Sequence, residues 1–162
     1  MGKQSSSHAS GPVRFAASGW RGPGARVRGI GATCRGRRVV RILVIDRDAV
    51  NLKLIRTVLI SGGHEVMIAD SVDTALETAV YAIPDLVVMD VQPADFGDSS
   101  PIRHLKKDPG FKPVPVAAVT AMAMKNDRER ILQAGFDYYL AKPIRYRELL
   151  ELVTQIYRKG PG

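Results

Sequence analysis

The sequence predicts an α/β domain built on a five-stranded, doubly wound parallel sheet with helices on both faces. Two observations lead to this prediction. After residue 38, five short, mostly apolar runs alternate with five segments whose apolar residues recur at helical spacing. Four of the runs end on or just before a polar residue, namely Asp46, Asp90, Thr120 or Lys142. Parallel strands of such sheets present their ligand-binding residues at these carboxyl ends.

The first two strands flank a helix with clear boundary signals. Residues 39–45 form an aliphatic run interrupted by Arg41, which predicts a buried strand. Residues 49–61 carry apolar side chains three and four positions apart and are predicted to be helical. Glycines 62–63 are expected to end this helix. Residues 65–69 are the second predicted strand.

The middle of the chain repeats this alternation. A helix is predicted at 73–82, with Ser71 or Asp70 as its N-terminal cap. Pro84 breaks the helical pattern and precedes the third predicted strand at 85–89, which leads into Asp90. Residues 86–89 of this strand are all apolar, as expected for a strand covered on both faces.

The last five segments complete the pattern. After a loop rich in Pro, Gly and Ser, a helix is predicted at 101–107 and a strand at 116–119. A helix at 126–133, a strand at 137–141 and a helix at 146–157 follow. The alternation of strands and helices therefore extends to the end of the folded domain, which we place at 39–160.

The first 38 residues have a different composition. They hold eight Lys and Arg and no acidic residue, whereas the rest holds 16 of each sign, so the net charge of +8 resides in this segment. Without an apolar pattern it is expected to form a disordered basic tail. An organellar transit peptide, an anion-binding arm and an extension from a misplaced start codon are alternatives. One cysteine and no long apolar run favour a cytoplasmic protein without a membrane span.

Three motifs at strand ends resemble one family. "PDLVVMD" ends on Asp90, and "VPVAAVTAMAMKNDRERILQAGFDYYLAKPI" carries Thr120 and Lys142-Pro143. Together with Asp46 they resemble the receiver domain of bacterial two-component response regulators, especially single-domain regulators of the DivK type. The resemblance runs from about residue 39 to residue 156. It implies a flavodoxin-like sheet with strand order 2-1-3-4-5.

The resemblance also implies a role for each matching residue. Asp90 would accept a phosphoryl group from a histidine kinase or phosphotransfer protein. Lys142 would pair with the phosphoryl oxygens, and Thr120 would donate its hydroxyl to one of them. Tyr139 would be the switch aromatic residue, which turns inward as the threonine moves. Because a carboxylate attacks phosphorus only when the phosphoryl charge is neutralised, these residue types suit the reaction.

The expected Mg²⁺ site departs from the family pattern. Asp46, Asp90 and the backbone carbonyl of Gln92 would be its ligands, but Arg47 stands where the family has a second acidic residue. This exchange alters the local charge by two units, which at about 5 Å weakens cation binding about a hundredfold even in water. Arg47 could point outward, Asp48 could supply the missing oxygen, or Arg47 could replace the cation.

A second departure follows Asp90. The family has proline four residues and glycine eight residues beyond the acceptor, whereas Pro93 and Gly97 lie three and seven residues beyond Asp90. One deleted residue accounts for both shifts. The shorter loop is expected to displace the carbonyl of Gln92 from the metal position.

We expect a stand-alone, non-enzymatic phospho-receiver with at most slow autodephosphorylation. Its output would pass through protein contacts on the face formed by the fourth helix, fifth strand and fifth helix. A degenerate pseudo-receiver that binds partners without metal-dependent phosphorylation is the alternative within this fold. A flavin or nucleotide binder is disfavoured because no glycine-rich phosphate loop is present. Nucleic acid would bind only through the basic tail.

Deleting residues 1–38 is predicted to leave the thermal midpoint of the domain nearly unchanged, because this segment lacks an apolar pattern that could pack on the core. Differential scanning calorimetry of the full and shortened chains measures the midpoints. A decrease of more than about 5 °C, which about 1 kcal/mol produces in a small domain, would show that the tail stabilises the fold.

Overall fold

The computed structural model of the chain describes residues 33–34, 37–97, 100–121 and 125–158. The strands are β1 (Thr33–Cys34), β2 (Arg37–Arg38), β3 (Arg41–Ile45), β4 (Glu65–Ala69), β5 (Leu86–Asp90), β6 (Val116–Thr120) and β7 (Tyr138–Ala141). The α-helices are α1 (Ala49–Ser61), α2 (Val72–Ala79), α3 (Pro101–Lys107), α4 (Lys125–Ala134) and α5 (Tyr146–Arg158). A 3₁₀ turn covers Pro93–Asp95.

The central sheet contains five parallel strands in the order β4-β3-β5-β6-β7. Counted along the chain from β3, this is the order 2-1-3-4-5, so the predicted sheet and its strand order are confirmed. β3 lies between β4 and β5, and the chain then adds strands on the β5 side. The reversal of direction occurs between β3 and β5, which is where such sheets bind ligands.

Side chains of successive strand residues point to opposite faces and form two cores. One face packs on α2, α3 and α4 through residues such as Ala75, Ile102 and Ile131. The other packs on α1 and α5, with Ile55 and Leu149 among the buried residues. Because both faces are covered, the central strands are apolar at nearly every position, which explains the aliphatic runs in the sequence.

Most predicted element boundaries agree with the structure to within two residues. The exception is the predicted helix 73–82, because α2 ends at Ala79. Ala79 is the last side chain that α2 buries, and Val80 and Tyr81 are strongly exposed. A longer helix would therefore gain no further packing. The 3₁₀ turn at Pro93–Asp95, which was not predicted from the sequence, is held in place by hydrogen bonds near the site.

The predicted basic tail, residues 1–38, lies mostly outside the described residues. Its described part forms a two-residue antiparallel ladder between β1 and β2. The guanidinium of Arg38 stacks 5.4 Å from the ring centroid of Tyr157 in α5. Burial raises the pKa of the Tyr157 hydroxyl. The boundary between tail and domain remains a prediction. No helix among the described residues is long and apolar enough to span a bilayer.

Gly135 directly follows the last residue of α4 and has a backbone φ of +110°. Its amide donates to the carbonyl of Leu132, and the amide of Phe136 donates to that of Ile131. This pair of bonds satisfies two of the carbonyls in the last turn of the helix.

Gly135→Ala is predicted to lower the free energy of unfolding by about 1–2 kcal/mol, because a side chain disfavours positive φ. Crowding does not contribute, since the nearest atom to an added Cβ is 3.8 Å away. Gly97→Ala is the control, because Gly97 has open space around it and no positive φ. Urea denaturation measures both variants, and equal stability of the two would contradict the prediction.

Candidate functional site

Four polar residues meet at the carboxyl edge of the sheet. Asp46 directly follows β3, Asp90 and Thr120 end β5 and β6, and Lys142 directly follows β7. The register pairs Asp90 with Val119 and Thr120 with Ala141. Asp46 and Asp90 therefore lie at one level of the sheet, Thr120 one residue beyond it and Lys142 two residues beyond it. The structure brings together the residues that the sequence analysis placed at one site.

Asp90 and Lys142 form the shortest contact of the site. The Nζ of Lys142 lies 2.6 Å from Oδ1 of Asp90, and the two side chains are 27% and 10% exposed. The backbone amide of Lys142 donates to the carbonyl of Thr120 at 2.8 Å, which ties the turn after β7 to the end of β6. An ammonium group thus neutralises a largely buried carboxylate, while both remain accessible from one side.

Two open cavities share the carboxylate of Asp90. The larger, of about 500 Å³, is lined by Asp46, Arg47, Asp48, Ala49, Asn51, Asp90, Gln92 and Lys142. The smaller, of about 370 Å³, is lined by Asp90, Val91, Gln92, Pro93, Thr120, Ala121 and Lys142. Asp46 and Arg47 therefore line the larger cavity, and Thr120 lines the smaller one. An anion attached to Asp90 would be within reach of residues on both sides.

Asp46 carries an unusual buried carboxylate. It is 3% exposed, and its Oδ1 accepts the amide of Asp48 at 2.8 Å. Its Oδ2 is buried without a hydrogen-bond partner among the described residues. Burial is the main cause that raises the pKa of Asp46, and the charge of Asp90 adds to this effect. Lys142 and hydrogen bonds from Asp48 and Asn51 lower the pKa and offset part of the increase.

Asp48 begins α1 and has a structural task there. Its Oδ1 accepts the backbone amides of Val50 at 2.7 Å and Asn51 at 3.3 Å, two groups that have no partner within the helix. Turning this oxygen towards a metal ion would remove the cap. The cap engages one oxygen of Asp48, and the expectation that Asp48 supplies a replacement metal ligand remains a prediction.

Arg47 pairs with Asp95, a residue that the sequence analysis missed. The Nη2 of Arg47 lies 3.2 Å from Oδ1 of Asp95. The Arg47 side chain is 67% exposed and that of Asp95 is 11% exposed. No sequence motif singles out Asp95. Two indirect signals point to Asp95. Arg47 needs a counter-ion, and the loop after Asp90, which contains Asp95, departs from the family pattern.

Asp95 also organises the shortened loop. Its Oδ2 accepts the amide of Gln92 at 2.8 Å, and its own amide donates to the carbonyl of Gln92 at 2.9 Å. The carbonyl that was expected to bind the metal is therefore engaged within the turn at Pro93–Asp95. The expected displacement of this carbonyl from a metal position remains a prediction.

These residues fit a divalent cation poorly. Asp46 supplies a buried oxygen, but Asp90 is paired with Lys142, the carbonyl of Gln92 is engaged, and Arg47 lines the same cavity. Among the described residues, no group of three His, Cys, Asp or Glu side chains could hold a metal ion. Mg²⁺ favours oxygen ligands in near-octahedral geometry. The site therefore offers fewer oxygen ligands to a cation than the sequence led us to expect.

The two proposed switch residues lie in different surroundings. Thr120 is completely buried at the end of β6. Tyr139 in β7 is partly buried and packs on the core that contains Ile131 of α4. Nearby, Arg130 of α4 stacks 5.6 Å from the ring centroid of Phe96, the residue after Asp95. The loop after Asp90 thus contacts α4 as well as the turn that holds Arg47.

Asp46→Asn is predicted to raise the free energy of unfolding at pH 7 by about 0.5–2 kcal/mol, the usual gain when a strained functional residue is relieved. The pKa of Asp46 is higher in the folded than in the unfolded chain, so its ionisation destabilises the fold as the pH rises. The gain should therefore shrink as the pH falls towards about 4, the ordinary pKa range of aspartate. Urea denaturation across this pH range measures the free energies of unfolding, with the exposed Asp70→Asn as the control. A difference between Asp46→Asn and wild type that does not change with pH would contradict the prediction.

The comparisons with known proteins agree with this geometry. The family model for the response regulator receiver domain matches residues 42–154. The polar-differentiation response regulator DivK of Brucella ovis is 35% identical over 112 residues, which make up 69% of this chain and 91% of that protein. The equivalent protein of Brucella anthropi is 34% identical over the same length.

Solved structures show the same fold. A response regulator from Desulfuromonas acetoxidans aligns with a TM-score of 0.67 at 21% identity, covering 75% of this chain and 98% of that one. The receiver domain of a sensor histidine kinase from Pseudomonas aeruginosa PAO1 aligns with a TM-score of 0.61 at 31% identity, covering 72% and 96%. That structure has a magnesium ion coordinated in its active-site cleft. Since the family model matches most of the chain and DivK proteins match its whole central part, this chain belongs to the response regulator receiver domains of two-component signalling.

Proposed function

We propose that this chain is a phospho-receiver that accepts a phosphoryl group on Asp90 from a histidine kinase or phosphotransfer protein. The observation that carries the proposal is the 2.6 Å contact between Lys142 Nζ and Asp90 Oδ1 at the edge of two open cavities. A carboxylate in this position is accessible to an incoming phosphoryl group. The ammonium beside it can neutralise charge on the phosphoryl oxygens.

The roles of the other residues follow from their positions around Asp90. Thr120 lines the second cavity and donates its hydroxyl to a phosphoryl oxygen once the group is attached. Movement of Thr120 at the end of β6 changes the space beside Tyr139, since β6 and β7 are paired in register. Tyr139 then turns further inward. This sequence of movements links the phosphorylation state to the surface of α4 and β7.

Output passes through protein contacts on the face formed by α4, β7 and α5. β7 is the last strand of the sheet, so this face lies at its edge. α4 and α5 each expose a large apolar side chain, Leu132 and Tyr146 respectively. Exposed apolar residues of this kind suit a transient protein interface. The protein acts in the cytoplasm as a signalling component, with at most slow hydrolysis of its own acyl phosphate.

Receiver domains typically bind Mg²⁺ at the phosphorylation site. In this chain Asp46 and Asp90 would be its side-chain ligands, and the cation would neutralise phosphoryl charge. Because the remaining donors are engaged or replaced, the proposed transfer to Asp90 depends on the contacts of this chain's own residues. The contact between Lys142 and Asp90 is the first of these.

Asp90→Asn is predicted to abolish phosphorylation, because an amide cannot form the acyl phosphate. The protein is incubated with acetyl phosphate and Mg²⁺, and intact mass is measured. Wild type should gain one phosphoryl group, and Asp90→Asn should gain none. Asp70→Asn is the matched control, because Asp70 also follows a strand, β4, at the same edge and is exposed.

Two results would oppose the proposal. A phosphoryl group retained by Asp90→Asn would mean that another residue is the acceptor. Wild type that stays unmodified by acetyl phosphate and by phosphoramidate, with or without Mg²⁺, would instead indicate a pseudo-receiver that binds partners without phosphorylation.

A further inference from the structure

We propose that Arg47 supplies the positive charge that a divalent cation supplies in other receiver domains, so that Asp90 is phosphorylated without a divalent cation. This inference rests on the proposed function. It assigns Arg47 a direct contact with the phosphoryl group and Asp95 the task of holding Arg47 at the mouth of the cavity until that group arrives.

The first support is the position of Arg47. It lines the same cavity as Asp46, Asp90 and Lys142. Its ion pair with Asp95 spans 3.2 Å, and most of the side chain is exposed. The Asp95 half of the pair is largely buried, but its carboxylate also accepts the amide of Gln92 and keeps that bond when Arg47 leaves. The long, exposed arginine side chain can therefore turn from Asp95 to a doubly charged phosphoryl group.

The second support is that Arg47 and Asp95 join the two segments that a metal would join. Arg47 lies in the turn after β3, and Asp95 lies in the loop after β5. In the expected metal site, carboxylates of the first segment and the carbonyl of Gln92 in the second would share one cation. Here that carbonyl accepts the amide of Asp95, and the carboxylate of Asp95 binds Arg47. Arg47 and the shortened loop after Asp90 are thus linked through Asp95.

The third support is the charge of the cavity. Its lining holds the carboxylates of Asp46, Asp48 and Asp90 and the cations of Arg47 and Lys142. One oxygen of Asp48 is engaged in capping α1. Aspartate at position 47 would give four carboxylates and one ammonium, a lining that attracts a divalent cation. The lining of this chain is nearly balanced, so it attracts such a cation far less and repels a phosphoryl dianion less.

The reaction with acetyl phosphate shows what the two cations would do. A carboxylate oxygen of Asp90 forms a bond to phosphorus while the bond between phosphorus and the acetyl oxygen breaks. Acetate leaves with the electron pair, and no proton is transferred. The product carries two negative charges on its phosphoryl oxygens. Lys142 contacts them as a point charge, and the guanidinium of Arg47 binds two oxygens at once.

The experiment compares initial rates of phosphorylation by acetyl phosphate in EDTA and in MgCl₂, followed by intact mass. Wild type should react at similar rates in both. Arg47→Ala should lose about a hundredfold in EDTA, the usual effect of removing one charged or polar contact from a transition state. Arg47→Asp should react only with Mg²⁺. Arg41→Ala is the matched control, because Arg41 forms a 3.3 Å ion pair with Glu65 and lies in β3 away from the cavity lining.

Asp95→Asn distinguishes the role of Asp95, which holds Arg47, from the contact of Arg47 with the phosphoryl group. It removes the charge that retains Arg47 but keeps an oxygen that can accept the amide of Gln92. Because the guanidinium then no longer has to leave a carboxylate, the rate of Asp95→Asn in EDTA should exceed that of wild type. A rate as low as that of Arg47→Ala, in a variant whose thermal midpoint is unchanged, would overturn the role given to Arg47. Thermal midpoints of all variants identify any loss of folding.

Isothermal calorimetry provides a readout that does not depend on the reaction. Mg²⁺ should bind Arg47→Asp about a hundredfold more tightly than wild type, as expected for a change of two charges at about 5 Å. Equal affinities would overturn the inference. Wild type that is phosphorylated only with Mg²⁺ would also overturn it while leaving Asp90 as the acceptor. Wild type that reacts under neither condition would instead remove the proposed function on which the inference rests.

Discussion

The register of the parallel strands is the constraint on which the site depends. Asp90 is paired with Val119 in β6, and Thr120 is paired with Ala141 in β7, so Thr120 and Lys142 lie one and two residues beyond the level of Asp90. A shift of one residue in either pairing would turn every side chain of that strand to the other face. Both faces are buried by helices, and the edge with the polar residues is the part that reaches solvent. The apolar core thus determines where the charged groups lie.

Electrostatic compensation is the second organising feature. Asp90 is neutralised by Lys142 and Asp95 by Arg47, across 2.6 Å and 3.2 Å respectively. Both pairs connect segments that are distant in the sequence. The replacement of an acidic residue by Arg47 and the loss of one residue after Asp90 look like two separate defects in a linear comparison. In three dimensions they meet at Asp95, which contacts both Arg47 and the backbone of Gln92.

The buried charge of Asp46 lowers the stability of the fold, which is a cost of having a polar site here. It is a buried carboxylate with one oxygen that has no partner among the described residues, and burial raises its pKa. A structural residue at this position would be apolar or fully hydrogen-bonded. The fold tolerates the charge because Lys142, Asn51 and the amide of Asp48 offset part of the desolvation.

The sequence by itself determined the fold class, the five strands of the sheet and the residues at their ends. Buried strands and amphipathic helices leave regular apolar patterns, and the family motifs lie in those strands. It did not determine the end of α2, the turn at Pro93–Asp95 or the partner of Arg47. These depend on which surfaces remain exposed after packing and on contacts between residues 48 positions apart. Only the tertiary structure brought Asp95 to Arg47, because no local pattern records a charge pair formed across two loops.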